Sequence, residues 1–86
     1  MEKVIDIDFH VTWKSPVFVR IGNGIRERID GPDAALAALL HRWPSTNHPQ
    51  YGAAKRQCVD AIARHGNPEF ARSSFVEAAF AAKVLA

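Results

Sequence analysis

The feature that most restricts the fold of this chain is one change of hydrophobic period, at Asp30-Gly31-Pro32-Asp33. Before it, apolar and polar residues alternate. After it, apolar residues recur at intervals of three and four. Alternation sorts side chains onto the two faces of a strand, whereas the longer interval lines up one face of a helix. A chain that makes this change once, in this order, is expected to fold as strands followed by helices, an α+β arrangement.

Upstream of the change, Ile5, Ile7, Phe9, Val11 and Trp13 fall on one side and Asp6, Asp8, His10 and Thr12 on the other. This predicts a half-buried strand over about 4–12. Pro16 has no N–H for a ladder, so it starts a new strand or sits on an edge. A second strand follows over about 16–21, with Val17, Val19 and Ile21 on one face. Gly22-Asn23-Gly24 accepts the positive φ of a tight hairpin turn, and 25–29 reads as the returning strand. The expectation is an antiparallel hairpin, or a three-stranded meander with the first segment.

Downstream, Pro32 suits a first helical turn and Asp33 its positive dipole end. Leu36, Leu39, Leu40 and Trp43 then make one apolar face of a helix over about 32–43, which Pro44 stops. Pro49 opens a second helix, about 49–65, with Tyr51, Ala54, Cys58, Ala61 and Ile62 on one side. Gly66 is expected to supply a left-handed cap at its end. Asn67-Pro68-Glu69 repeats the start signal for a third helix, about 68–84. The two periodicities predict one core shared by Leu36, Leu39, Leu40, Trp43, Cys58, Ile62 and Phe75 with Val17, Val19 and Ile21. At 86 residues, without repeat or linker, the chain is expected to be one domain.

These pieces, taken in order, resemble a known family. They are Trp13-Lys14-Ser15-Pro16-Val17, the helix start Pro32-Asp33-Ala34-Ala35-Leu36, and Trp43-Pro44. Tyr51-Gly52-Ala53-Ala54 with Cys58, and Ala71-Arg72-Ser73-Ser74-Phe75 before Ala78-Ala79, complete the set. In this order and spacing they look like the domain of unknown function 982 family, short proteins mostly of rhizobia and related alphaproteobacteria. The similarity covers roughly residues 13–84. It implies a bacterial, cytoplasmic protein, and it transfers no activity, ligand or catalytic residue.

The residues themselves point the same way. A single cysteine, Cys58, excludes an internal disulfide and suits a reducing cytoplasm. The acidic, alternating start is unlike a signal peptide, and no apolar run is long enough to span a membrane. His10, His41, His48 and His65 show none of the close pairings of zinc sites. Cys58 has mostly apolar helical neighbours and reads as a buried structural thiol. Gly22-Asn23-Gly24 lies between strands and is no phosphate loop. No cofactor, metal or catalysis is therefore expected.

Three function classes remain. The first is a non-catalytic interaction or regulatory module that self-associates or binds a protein partner. The second is a nucleic-acid binder, if Arg26, Arg28, Lys55, Arg56 and Arg64 share a face; a net charge of +2 does not favour it. The third is a small-ligand or anion binder through Arg72, a cation near a helix start that wants a carboxylate such as Glu69 or Asp60, or a bound anion. Helix three supports the first class. Ala71, Phe75, Ala78, Ala82 and Leu85 make one stripe, and Val76, Phe80 and Val84 another nearly opposite. One neighbour cannot cover both stripes. Val76, Phe80 and Val84 either pack under the sheet, which makes helix three central to the fold, or form the interface of a two-fold dimer, the favoured expectation.

Overall fold

The structure, a computed structural model, describes residues 12–22, 24–44 and 46–86. Two strands, β1 (Val17–Val19) and β2 (Glu27–Ile29), precede three helices, α1 (Pro32–His41), α2 (Pro49–Ala63) and α3 (Pro68–Ala81). The α+β order read from the change of period is the observed one. The strand expected over 4–12 lies, apart from Thr12, outside the described residues.

β1 and β2 pair antiparallel with Val17 opposite Ile29, Phe18 opposite Arg28 and Val19 opposite Glu27. Val17, Val19 and Ile29 turn inward and are buried. Phe18 turns outward, where the Arg26 guanidinium lies 4.5 Å from its ring centre. Each strand is shorter than its alternating stretch. The connection runs over residues 20–26, not a tight turn, although Gly22 does take a positive φ of 69°. β1 is not an edge. The segment after α3 pairs with its other side: Arg20 N–H donates to Val84 O (2.7 Å) and Ala86 N–H to Phe18 O (2.9 Å). Val19 and Leu85 thereby face each other across an antiparallel bridge.

The three helices begin where proline was expected to start them, and each ends early. Pro44 disfavours a helical Trp43, and α1 stops at His41. The next residue, Arg42, pairs with Glu27 of β2 at 2.6 Å. This hydrogen bond holds the Glu27 carboxyl below its ordinary range and raises the Arg42 guanidinium above its own. α2 ends with His65, not Gly66, in the left-handed region (φ 57°). Gly66 is needed for a different reason. A Cβ there would stand 3.1 Å from the Asp60 carbonyl carbon, and this close approach lets Gly66 N–H reach Asp60 O at 2.8 Å. At α3 the expected N-cap is present, with Asn67 Oδ1 accepting from Glu69 N–H at 2.8 Å.

α2 packs against both α1 and α3, and α3 also touches β1. Much of the helix contact is alanine: Ala35, Ala38, Ala54, Ala61, Ala71, Ala78 and Ala79 are all buried. Small side chains let helix axes approach closely, so the alanine faces point inward. This corrects two core assignments. At about 100° per residue, Leu40 stands some 140° from Ala35, and it is 51% exposed where Leu39 is 1%. Ile62, at the margin of the Ala54–Cys58–Ala61 face, is also exposed. Leu36, Trp43 and Ile21 are half-buried against the core. Phe75 sits at its centre, 5.9 Å from the Trp13 ring and 5.4 Å from the Trp43 ring. Tyr51 joins α2 to α1 by donating its hydroxyl proton to Leu39 O at 3.0 Å.

Candidate functional site

The end of α3 is where apolar side chains are left uncovered. Two backbone groups close the helix: Lys83 N–H donates to Phe80 O (3.1 Å) and Val84 N–H to Ala79 O (2.9 Å). Lys83 takes the left-handed conformation between them (φ 62°). This is the paired hydrogen-bond closure that usually recruits glycine, and a lysine accepts strain there. The reversal aims Val84 into the core and sends Leu85 along β1. Phe80, about 180° around the helix from Ala71, is 75% exposed. Phe80, Ala81, Lys83 and Leu85 line an open recess of about 550 Å³.

The interface expected at Val76, Phe80 and Val84 is therefore divided. Val84 is buried, because the helix ends before reaching it and the reversal turns it inward. It cannot belong to an exposed stripe. Val76 is half-buried against the core. Phe80 alone of the three is broadly accessible, and its neighbour on the surface is Leu85, which the helical wheel had assigned to the opposite stripe. The main-chain pairing of 84–86 with β1 brings these two together.

Among the described residues, Arg72 meets no carboxylate. Its Nε donates to Ser15 O at 2.8 Å and its Nη2 to Pro16 O at 3.4 Å. It fastens the segment beside Trp13 onto α3, and this replaces the ion pair expected from position alone. Glu69 instead accepts a long contact from Lys14 N–H (3.5 Å), and Asp60 lies 3.7 Å from Arg64.

The basic residues are engaged locally. Arg26 covers Phe18, Arg28 pairs with Asp30 at 2.6 Å, and Lys55 lies 5.1 Å from the Tyr51 ring centre. A second recess, about 510 Å³, runs along the outer face of α2 past Gly52, Lys55, Arg56, Val59, Asp60 and Arg64. Those positions recur at helical intervals, so it is the gap between side chains of one solvated helix face. The hairpin arginines do not line it.

Cys58 is fully buried, and burial pushes its thiol up to about 12. A thiol held protonated in this way is a poor nucleophile at neutral pH. Among the described residues, no three His, Cys, Asp or Glu side chains gather as a metal-ligand set. No helix among the described residues is long and apolar enough to cross a membrane.

The family described as proteins of unknown function, DUF982, matches this chain over residues 15–86. The chain belongs to the DUF982 family. The solved NMR structure of Agrobacterium tumefaciens protein Atu1219 is similar over 100% of this chain and 86% of that one, at 29% identity and a TM-score of 0.76. No curated protein matches the chain. Fold and DUF982 membership thus agree with the resemblance carried by the ordered motifs, and neither brings a ligand or a reaction with it.

Proposed function

We propose that this protein is a non-catalytic interaction module whose docking surface is the recess at the end of α3. The observation that carries this is the exposure of Phe80 beside Leu85, on the rim of an open apolar recess. Leaving a large aromatic side chain in water forgoes about 1.5–3 kcal/mol of burial. Single exposed apolar residues are ordinary, but contiguous ones that line a concavity mark contact sites. Lys83 gives the recess a polar rim, the anatomy of a protein-binding patch.

The test is binding of an environment-sensitive apolar dye, bis-ANS, to the folded protein. Wild type should raise the dye's fluorescence at low micromolar concentration. Phe80→Glu should abolish most of that rise while near-UV circular dichroism stays native. Equal fluorescence from a folded Phe80→Glu variant would place apolar recognition elsewhere and remove the proposal.

A further inference from the structure

We infer that the occupant of this recess is a second copy of the chain, joined edge to edge through the backbone of Leu85. The inference rests on the docking role just given to the recess and adds the identity of the partner. It begins from a count of main-chain hydrogen bonds. The two bonds that tie the last segment to β1 come from Arg20 N–H to Val84 O and from Ala86 N–H to Phe18 O. In an antiparallel ladder, bonds in these flanking positions make Val19 and Leu85 the non-hydrogen-bonded pair between them. The N–H and C=O of Val19 then point away from this segment, toward β2, with which Val19 pairs. By the same geometry the N–H and C=O of Leu85 point outward. Among the described residues neither has a partner.

One residue presenting an outward donor and an outward acceptor on an antiparallel edge is self-complementary. A two-fold axis beside Leu85 gives two reciprocal bonds, from each Leu85 N–H to the other Leu85 O. No change of register is required. The sheet then runs without interruption from the β2 of one copy to the β2 of the other. Adding a strand to an open edge is a standard route of recognition, with main-chain bonds for attachment and flanking side-chain pockets for selectivity. Here the flanking groups are the Phe80 rings and Leu85 side chains of both copies.

Charge and area bear on the strength of this pairing. In the two-fold register the two Lys83 residues lie on opposite sides of the axis, so they do not face each other directly. The contact is nonetheless small. Two phenylalanine rings and two leucine side chains fall short of the roughly 1,200 Å² at the lower end of stable interfaces. The dimer should therefore be weak, forming at hundreds of micromolar.

Sedimentation equilibrium of the full chain from 10 µM to 1 mM tests this, with Leu85→Pro and Leu85→Val beside wild type. Proline removes the outward N–H but leaves both bonds to β1, since neither uses the Leu85 amide. Wild type and Leu85→Val should approach the dimer mass with increasing concentration, and Leu85→Pro should remain a folded monomer. Should Leu85→Pro fail to fold, the wild-type Leu85 amide decides. It should shift with concentration and exchange roughly two- to threefold more slowly with solvent at 1 mM than at 10 µM, the slowing a dissociation constant of hundreds of micromolar allows. A wild type still monomeric at 1 mM overturns the second copy, and so does a dimer in which the Leu85 amide exchanges freely. Phe80-dependent dye binding by such a monomer would leave the docking surface standing for an extended segment of another protein.

Discussion

Phe75 and Phe80 belong to the same helix and have the same side chain, yet one is 0% exposed and the other 75%. Phe75 shares its side of α3 with Ala71, Ala78 and Ala79, the residues against which the rest of the molecule packs. Phe80 stands about 140° farther round. Two apolar stripes on a helix can therefore have separate purposes, and the alanines show which stripe holds the fold. The ring turned away from those buried alanines is the exposed one, and it is the one we propose for contact with a partner.

The sharpest way to break this contrast is to truncate both rings. Phe75→Ala opens a cavity between Trp13 and Trp43 and should cost about 3–5 kcal/mol, enough to unfold much of the population. Phe80→Ala should stay within about 0.5 kcal/mol of wild type in urea denaturation of dilute protein. Comparable losses from the two would place both rings in the core. The adjacent pair on α1 extends the contrast. Leu39→Ala should cost about 2–5 kcal/mol and Leu40→Ala less than about 1, as read from the two denaturation midpoints.

Cys58 sharpens it by titration. Its folded thiol is raised to about 12 from an ordinary 9.0 by burial. Above pH 9 the unfolded chain loses this proton while the folded chain keeps it, so the linked stability is intact below pH 9 and falls as pH rises. The slope is about 1.4 kcal/mol per pH unit between roughly pH 9 and 11. Subtracting the pH profile of Cys58→Ala from that of wild type should isolate it. Parallel profiles would mean that the thiol meets solvent.

What was legible in the sequence was whatever depends on neighbours along the chain. Pro32, Pro49 and Pro68 mark their helix starts because proline suits the first turn wherever it occurs. The ends at His41, Ala63 and Ala81 were each misplaced by two or three residues, because contacts outside the helical period also act there. Glu27 holds Arg42, Asp60 meets the Gly66 backbone, and β1 captures 84–86. Bulk misled in the core. Leucines and isoleucines drew the expected face toward Leu40 and Ile62, whereas alanines set the close contacts. For the candidate site, Phe80 was readable as a surplus apolar residue. Its pairing with Leu85 was not, because a helical wheel carried past Ala81 puts them on different sides. The Arg72 clamp joins residues 57 positions apart, and no local pattern announces it.

The smallest expected change, and the most direct test of Phe80 as a contact between two copies of the chain, is the melting temperature against protein concentration for wild type and Phe80→Glu. A partner that binds only the folded chain raises the melting temperature as its concentration rises. At 10 µM the two proteins should melt within about a degree of each other. At 1 mM wild type should melt a few degrees higher than at 10 µM, and Phe80→Glu should not move. A Phe80→Glu variant that melts far below wild type at 10 µM, or a wild-type melting temperature independent of concentration, would contradict it.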